Sequence, residues 1–340
     1  MGKVLITGGA GYIGSHIVKR LLERSMETVA LDNLQTGHRK AVVGGTFIQG
    51  DIGDKAILKG AFAGHEIDSV IHMAADCCVG ESMKDPLKYF NNNVSKGLIL
   101  LAEMLEHKVN KIVFSSSAAV YGNPSRVPID EYDPVYPINP YGETKLIFEK
   151  ILESCRVAHG LQYISLRYFN AAGADPDGLI GEDHDPETHL IPTVLRALLK
   201  KGRTVPIFGT DYDTPDGTCI RDYIHIVDLA EAHILALEAL HAGERGDIFN
   251  LGNGRGFSVQ QIIQAATHVT GRTIPVKESQ RRPGDPPVLI ASSEKIRRRL
   301  GWTPQYGKLE EIIETAWRWH RTHPHGFKSS SLEKGVGAWT

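Results

Sequence analysis

The fold is decided by a short stretch near the start of the chain, Val4-Leu5-Ile6-Thr7-Gly8-Gly9-Ala10-Gly11-Tyr12-Ile13-Gly14. Its apolar residues predict a strand, its glycines a tight turn, and the amphipathic pattern that follows predicts a helix. In this order the three elements let the backbone approach a pyrophosphate, which binds at the N-terminus of the helix. The alternative interpretation is a glycine-rich turn in an α/β protein that binds no nucleotide.

The first 170 residues alternate β-rich runs with helical patterns. Strands are predicted at 3–7, 27–32, 46–49, 69–72, 111–115 and 162–167. Helices are predicted at 15–24, 55–63, 93–107 and 142–159. Because this alternation is typical of parallel βαβ units, we predict an α/β fold with a Rossmann-type, doubly wound parallel sheet and a smaller α/β substrate-binding domain.

Glycine, proline and aspartate become more frequent after Asn170, which predicts a domain boundary there. We predict a dinucleotide-binding domain over 1–170 and a substrate-binding domain over 171–330. The segment 221–240 has the pattern of a strand and a helix, and we expect it to return to the first domain. Residues 331–340 are predicted to form a polar tail.

Composition narrows the class of protein. The 340 residues are 41% hydrophobic and 23% charged, with a net charge of -2, so we expect neither nucleic acid nor an acidic membrane surface as a partner. No apolar run is long enough to span a bilayer, and a strand predicted from Lys3 leaves no room for a signal peptide. We therefore expect a cytoplasmic enzyme or binding protein. The four cysteines show no zinc-binding spacing, and we expect Cys77 and Cys78 to be reduced.

The residues around the glycine turn predict an NAD site. We assign Gly8, Gly11 and Gly14 to the cofactor, together with the start of the helix at Tyr12 and Ile13. Asp32 ends the second predicted strand, where a carboxylate can accept hydrogen bonds from the adenosine ribose. That carboxylate would repel a 2′-phosphate, and no arginine follows it directly, so NAD is favoured over NADP.

Two further strand ends are assigned to the cofactor. Asp51-Ile52 follows the third predicted strand and fits the edge of the adenine. Met73-Ala74-Ala75 follows the fourth and predicts a flat floor of small residues. The alternatives are that Asp51 is the N-cap of a helix and that Met73 is part of the core.

A second motif predicts proton transfer. Tyr141 and Lys145 are one helical turn apart, so their side chains share a face. An ammonium group and a cationic nicotinamide ring would both lower the pKa of the Tyr141 phenol, and Lys145 can also bind the nicotinamide ribose. Ser117 follows the strand 111–115, where its hydroxyl can hold the reacting sugar oxygen or relay a proton. The alternative for a tyrosine–lysine pair alone is a solvated helix face.

These motifs resemble a known superfamily. Thr7 to Gly14, Ser115-Ser116-Ser117 with Val120-Tyr121-Gly122, and Tyr141 with Lys145 resemble the extended short-chain dehydrogenases/reductases. The resemblance narrows to the UDP-glucose 4-epimerase family and covers nearly the whole chain. The narrowing motifs are Arg167-Tyr168-Phe169-Asn170, Gly181-Glu182-Asp183, Arg221-Asp222-Tyr223-Ile224-His225, Ile248-Phe249-Asn250-Leu251-Gly252 and Arg281-Arg282-Pro283-Gly284-Asp285.

The resemblance implies 4-epimerisation of a UDP-sugar, without net redox change, through a 4-keto intermediate and bound NAD. It makes Ser117, Tyr141 and Lys145 catalytic and gives each a contact with the cofactor. It adds Asn33, Cys77, Asn92 and Phe169 to the cofactor site. It implies that the UDP-sugar binds to Ser117, Tyr141, Asn170, His189, Leu190, Phe208, Arg221, Arg282, Asp285 and Leu289.

Roles within the substrate site also come from the resemblance. Arg221 and Arg282 would pair with the diphosphate and Asp285 would accept from the uridine ribose. Asn170 would donate to a phosphate or sugar oxygen, and Phe208 would lie at the uracil. Surface ion pairs and loop packing are the alternatives.

The sequence departs from the best-known bacterial pattern of that family at two positions. Cys77 stands where a lysine sometimes contacts the cofactor, and Leu289 stands where a tyrosine often limits the sugar pocket. A smaller side chain at 289 leads to the hypothesis that UDP-GlcNAc and UDP-GalNAc are also interconverted.

Other activities stay open at this point. A 4,6-dehydratase needs carboxylates beside the strand-end serine, and here Ala118 and Ala119 follow Ser117. A 4-epimerase acting on UDP-glucuronate or UDP-arabinose would differ only in its pocket lining. A non-catalytic regulator that binds NAD or a nucleotide sugar is a further alternative.

Two predictions concern surfaces and loops. The helices 93–107 and 142–159 are apolar over more than one face, which predicts a homodimer through a four-helix bundle, or else burial under a neighbouring domain. His184 and His189 flank Asp185 and could suggest a metal site. Because the expected chemistry needs no metal, we predict none and interpret both histidines as loop or pocket residues.

Overall fold

The structure is a computed structural model that describes residues 2–200, 202–282 and 285–328. The strands are β1 (Lys3–Thr7), β2 (Thr28–Asp32), β3 (Thr46–Gln49), β4 (Ile67–His72), β5 (Lys111–Ser117), β6 (Gln162–Tyr168), β7 (Asn170–Ala172), β8 (Val205–Phe208), β9 (Ile220–His225), β10 (Gly246–Leu251), β11 (Gly256–Ser258), β12 (Val276–Ser279) and β13 (Val288–Leu289). The helices are α1 (Tyr12–Glu23), α2 (Lys55–Gly64), α3 (Val79–Ser82), α4 (Pro86–Phe90), α5 (Lys96–Glu106), α6 (Pro140–His159), α7 (Leu190–Leu199), α8 (Ile226–His241), α9 (Val259–Thr270), α10 (Glu294–Leu300) and α11 (Leu309–Thr322).

Seven parallel strands form the large sheet, in the order β10-β6-β5-β4-β1-β2-β3. The chain moves outward from β1 to β3 and then crosses back to β4, so the strand order reverses at β1. Ligands of open parallel sheets bind in the crevice at such a reversal, beyond the carboxyl ends of the strands. The predicted Rossmann-type, doubly wound sheet is confirmed.

Helices cover both faces of this sheet, as the period-2 alternation of strand side chains requires. Val4 and Ile6 pack in the same cluster as apolar residues of α1 and α8. Leu5, which points the other way, packs in a separate cluster with residues of α2, α5 and α6. The two clusters fix α1 and α6 on opposite faces, with their N-termini at the same carboxyl edge.

A smaller unit lies beyond this edge. Its sheet is centred on β9, which pairs with β7, β11 and β13, and β8 pairs with β12 in a second, two-stranded sheet. Side chains from α7, α9 and α11 form its core with Val205, Ile207 and Tyr223. This unit is the smaller α/β part of the predicted fold.

We predicted that both the strand and the helix of 221–240 return to the first domain, and this is wrong for the strand. Of that segment, α8 packs on the large sheet, whereas β9 belongs to the smaller sheet. The strand that returns to the large sheet is β10, which pairs with β6 and buries Phe249 and Leu251. The division at residue 170 stays a prediction, and 331–340 lie outside the described residues.

The two helices predicted to form a dimer begin at other residues than expected. In place of the start of helix 93–107, Asn91–Ser95 form a π-helical turn, and α5 begins at Lys96. Helix 142–159 begins earlier, at Pro140, because the Asn139 side chain accepts a hydrogen bond from the Gly142 amide at 2.8 Å.

The apolar residues of α5 differ in exposure. Leu100, Leu101 and Met104 are buried, whereas Leu98 is 46% exposed. On α6, Val157 is 72% exposed. Some apolar surface of both helices is therefore left uncovered by the chain itself. In the described part of the chain, none of the helices combines the length and the apolar character needed to cross a membrane.

A buried ion pair joins α6 to the large sheet. Arg167 on β6 donates to both carboxylate oxygens of Glu149, at 2.9 and 2.6 Å, and the two side chains are 4% and 3% exposed. Ser116 donates to Glu149 at 2.5 Å, and Arg167 donates to the Tyr121 hydroxyl at 2.9 Å. Because Glu149 is one turn beyond Lys145, the pair fixes the face of α6 that carries the predicted catalytic residues.

Replacing Glu149 with glutamine should lower the free energy of unfolding by about 3–5 kcal/mol, because it leaves the buried Arg167 guanidinium without its counter-ion. Urea denaturation measures this loss. The matched control is Glu27→Gln, which removes a 71% exposed carboxylate 3.0 Å from Lys3 and should cost no more than about 1 kcal/mol. Equal losses of unfolding free energy in the two variants would show that the buried ion pair stabilises the fold no more than the exposed one.

Candidate active site

The glycine turn brings β1, α1 and the end of β4 into close contact. Gly8 has a φ of +70°, and a Cβ there would lie 2.8 Å from the Ala74 amide nitrogen. A Cβ on Gly14 would lie 2.1 Å from the carbonyl oxygen of Gly8. Only glycine fits both positions, so the turn has the shape that the dinucleotide motif requires.

The N-terminus of α1 is open to an anion. Gly11 is its N-cap, no side chain among the described residues caps it, and its first turn carries no acidic residue. By contrast, the Asp54 side chain caps α2 and the Asn139 side chain caps α6. The free amide groups and the positive end of the helix dipole at Gly11 fit a pyrophosphate.

Asp32 lies at the end of β2 beside this turn. Its carboxylate accepts hydrogen bonds from the amides of Ala10 and Leu34, at 2.9 and 2.8 Å. Burial raises the pKa of Asp32, and these amide donors oppose the rise. The two backbone amides hold the Asp32 carboxylate in place beside the N-terminus of α1. Its contact with a ribose stays a prediction.

Asp51 and Asn33 contact each other at the same edge. Asp51 accepts from Asn33 at 2.9 Å, from Lys96 at 2.8 Å and from the Gly53 amide at 2.7 Å. Burial raises the pKa of Asp51, but the donors outweigh it and lower the pKa below its usual range. The alternative that Asp51 caps a helix is wrong, because Asp54 is the N-cap of α2. The neighbouring Ile52 is 5% exposed.

The segment predicted as the cofactor floor lies against the glycine turn. The Met73 amide donates to the Thr7 carbonyl at 3.0 Å, which continues the pairing of β1 with β4. The Met73 side chain packs on the core cluster that contains Val4, and Ile13 of α1 packs on the same cluster. Ala74 and Ala75 are half-buried. The floor is therefore formed by backbone and small side chains.

The π-helical turn Asn91–Ser95 supports this floor. Burial raises the pKa of Asp76, and the neighbouring Asn92 side chain opposes the rise. Asn93, which sequence reasoning missed, exchanges two hydrogen bonds with the Asp76 backbone, at 2.8 and 2.9 Å, and donates to Thr144 at 3.1 Å. It thereby links the floor to α6 within one turn of Tyr141 and Lys145. The only signal in the sequence was the run of three asparagines.

Tyr141 and Lys145 lie on the buried face of α6, at the carboxyl end of β5. The Lys145 ammonium lies 5.8 Å from the centroid of the Tyr141 ring and donates to the Ser115 carbonyl at 2.7 Å. Ser117 is the last residue of β5, and its hydroxyl accepts from the Ala119 amide at 3.1 Å. The strand is two residues longer than predicted, so Ser117 is held by the sheet itself.

Burial dominates the electrostatics of this pair. It raises the pKa of the Tyr141 phenol far above its ordinary value, against a hydrogen bond with Ser117. It lowers the pKa of Lys145 to about 8, against the neighbouring Cys77 and Glu149. The expected lowering of the phenol's pKa by the ammonium does not prevail in the protein alone, because both groups are withdrawn from water. Cys77 itself is exposed beside them.

Tyr168 was also missed by sequence reasoning as a site residue. Its hydroxyl contacts that of Ser115, and Tyr168 raises the pKa of the Tyr141 phenol. Phe169, which follows it, packs against a cluster of Val120, Tyr121, Ile129 and Leu146. Leu289 of β13 packs on this same cluster, so the chain places it near the start of α6.

Two predicted substrate residues pair with each other. Arg221 of β9 forms an ion pair with Asp285, and its other nitrogen donates to the Ile220 carbonyl at 2.7 Å. Leu289 is the register partner of Arg221 on β13. Asn170 of β7 donates to the Asp222 carbonyl at 3.0 Å. The smaller sheet therefore brings four of the predicted residues together.

Phe208 and Arg282 form a second pair. The Arg282 guanidinium lies 4.1 Å from the centroid of the Phe208 ring, at the end of β8. An aromatic ring stacked by a guanidinium offers a flat surface and a positive charge at one place. Pro283 and Gly284 of the same motif lie outside the described residues.

His189 and Leu190 begin α7. His189 is its N-cap residue and its ring contacts the Glu182 carboxylate, whereas Leu190 packs on the core of the smaller unit. Asp185, which we considered as a metal ligand, points elsewhere: it is 81% exposed and lies 3.1 Å from the Lys328 ammonium. Glu182 and Glu187 stand next to the two histidines instead.

Comparison with known proteins decides the family. A model described as the NAD dependent epimerase/dehydratase family matches residues 4–252. The chain belongs to this family. The UDP-glucose 4-epimerase of Halalkalibacterium halodurans is 56% identical to it over 331 residues, which is 97% of this chain and 99% of that protein.

Solved structures agree in fold over nearly the whole chain. UDP-glucose 4-epimerase from Brucella ovis in complex with NAD is 48% identical, with a TM-score of 0.91 and coverage of 93% of this chain and 98% of that one. The enzyme from Bifidobacterium longum in complex with NAD+ and UDP is 38% identical, with a TM-score of 0.91 and coverage of 96% and 100%.

Proposed function

We propose that this member of the family is an NAD-dependent UDP-glucose 4-epimerase that interconverts UDP-glucose and UDP-galactose. The observation that carries the proposal is the position of Tyr141 and Lys145, on one buried face of α6 at the sheet edge where the glycine turn opens. Relatives in the family support the cofactor and the substrate class, since solved ones hold NAD and UDP.

The chemistry divides between the cofactor and the chain. The glycine turn and Asp32 would hold NAD, which would supply reversible hydride transfer at C4 of the sugar by way of a 4-keto sugar. In its phenolate form Tyr141 takes the proton of the 4-hydroxyl and becomes a phenol, which later gives the proton back. The Ser117 hydroxyl, held at the end of β5, positions the same oxygen.

Lys145 serves Tyr141 through charge. Water is excluded from both groups, so an ammonium about 6 Å from the phenol ring interacts with it more strongly than it would in solvent. Phenolate forms only when positive charge compensates the burial that raises the pKa of Tyr141. The ribose of the cofactor is the predicted additional partner of Lys145.

Binding of the nucleotide falls to the smaller unit. Arg221 and Arg282 carry the positive charges that a diphosphate needs, and Phe208 offers a flat ring for the uracil. Asp285 is positioned by Arg221 to accept from the ribose. The proposed lining of the UDP-sugar site is completed by Asn170, His189 and Leu190. The proposed contacts of the cofactor remain those predicted from the sequence: the glycine turn, Asp32, Asn33, Asp51, Met73 to Ala75, Cys77, Asn92 and Phe169.

We also propose a homodimer through α5 and α6, supported by the exposure of Leu98 and Val157 on these helices. Location in the cytoplasm is part of the proposal. A dehydratase is disfavoured because Ala118 and Ala119 follow Ser117 and offer no carboxylate.

The first experiment replaces the phenol. Tyr141→Phe should lower kcat for UDP-galactose about 10²–10⁴-fold, because it removes the acid–base hydroxyl and keeps the ring. The measurement is the rate of UDP-glucose formation by the purified protein. Tyr132→Phe is the control, since Tyr132 is 83% exposed, and it should retain the full rate. No conversion by the unaltered protein, even with NAD added, would contradict the proposal.

The sugar pocket gives a separate prediction. Leu289 is half-buried near the start of α6, and a tyrosine there would fill the space proposed for a 2-acetamido group. Leu289→Tyr should abolish turnover of UDP-GalNAc and leave that of UDP-galactose within about threefold, a difference of less than 1 kcal/mol in activation free energy. Leu289→Met, which keeps the volume, should retain both. Undetectable turnover of UDP-GlcNAc by the unaltered protein, with normal turnover of UDP-glucose, would refute this hypothesis.

A further inference from the structure

The loop between β7 and α7 holds a cluster of ionisable side chains of which the proposed function uses only His189. Its members are Glu182, His184, Glu187 and His189, which we call the loop cluster. One ligand atom from each of the four lies within 4.8 Å of the others. Two imidazole nitrogens and two carboxylate oxygens form a donor set suited to zinc.

The distances fit one small ion. Glu182 Oε1 lies 3.1 Å from Nδ1 of His184 and contacts Nδ1 of His189. Glu187 Oε1 lies 3.9 and 3.8 Å from the same two nitrogens. Donors bound tetrahedrally at about 2.0–2.1 Å stand about 3.3–3.5 Å apart. Glu182 and His189 are closer than this because they contact each other directly, so an ion would replace the proton between them and these two groups would separate.

Glu187 gives an independent sign that a positive ligand belongs in the cluster. Its side chain is 7% exposed, yet Oε2 finds no hydrogen-bond partner in the part of the chain that the structure describes. Arg196 comes within 3.7 Å of that oxygen, but its N–H groups donate to Asp183 and to the His184 carbonyl. The other oxygen, Oε1, accepts from the His189 amide at 3.0 Å. A buried carboxylate oxygen without a donor is costly unless a cation binds it.

We propose that the loop cluster binds one divalent transition-metal ion of the zinc class. Calcium and magnesium are disfavoured because they require six or more oxygen ligands. Four protein donors complete a tetrahedral shell, which is the mark of a structural site.

The ion would link the loop to the N-cap residue of α7 and hold it against the start of α1. His189 is the N-cap of α7, and the His184 ring packs edge-on against Tyr12 at 6.2 Å. The competing explanation is a hydrogen-bonded cluster in which both imidazoles donate to Glu182 and no metal is held. That explanation leaves Glu187 Oε2 with no hydrogen-bond donor among the described residues and with the Arg196 guanidinium 3.7 Å away.

The test uses the full chain as purified, dialysed against a chelator and then supplied with zinc chloride. We expect one zinc per chain by elemental analysis and a rise in Tm of about 3 °C or more at saturating zinc, because an ion that binds only the folded state stabilises it. Cobalt(II) should give visible d–d absorption of a tetrahedral site. It should give no thiolate charge-transfer band, since the donors are nitrogen and oxygen.

Two variants from the same loop locate the ion. Glu187→Gln should weaken zinc binding at least about tenfold, because the amide is a poor ligand. Asp185→Asn also removes one carboxylate, but from an exposed position outside the cluster, and it should bind zinc as the unaltered protein does. Absence of zinc and of any rise in Tm in the unaltered protein would overturn the proposal. So would equal zinc affinity in the two variants, which would assign the ion to other surface groups. If Glu187→Gln fails to fold, the zinc content and the cobalt spectrum of the unaltered protein decide.

Discussion

The geometry of the active site depends on the buried ion pair between Glu149 and Arg167. Each charge is costly to remove from water alone, so the two side chains hold α6 and β6 in one relative position. Tyr141, Lys145 and Glu149 follow one another at intervals of one helical turn, and therefore the register that the ion pair imposes on Glu149 also fixes the other two.

The N-termini of α1 and α6 lie at the same edge of the sheet and differ in function. The start of α1 is left uncapped and free of acidic residues, which suits an anion, whereas the start of α6 is capped by Asn139 and presents side chains. Asn93 joins the strand-end floor to α6 through Thr144. The smaller unit adds its arginines and Phe208 from the opposite side, so cofactor and nucleotide sugar are proposed to meet between the two units.

Local patterns predicted the parts of the fold that local physics determines. Spacing alone predicts the glycine turn, the shared face of Tyr141 and Lys145, and the alternation of strands and helices that forms the parallel sheet. It did not predict the pairing of β10 with β6, since Asp247 to Leu251 could serve as an edge strand of either sheet. The contact of Arg221 with Asp285 also could not be predicted from spacing, because the two residues are distant in the sequence. The same holds for the contacts within the loop cluster, which depend on the path of the folded loop. The opposing pKa shifts of Tyr141 and Lys145 also required the burial of the folded state.

The measurement that tests the account most directly follows the hydrogen on C4. UDP-galactose carrying deuterium at C4 is incubated with the purified protein, with no NAD added, and the product is analysed by mass spectrometry and NMR. We predict UDP-glucose that keeps the deuterium at C4, because the hydride passes to retained NAD and returns to the same carbon. Conversion with loss of the deuterium to solvent would contradict the account, since it would require a proton-exchange route that does not use the cofactor.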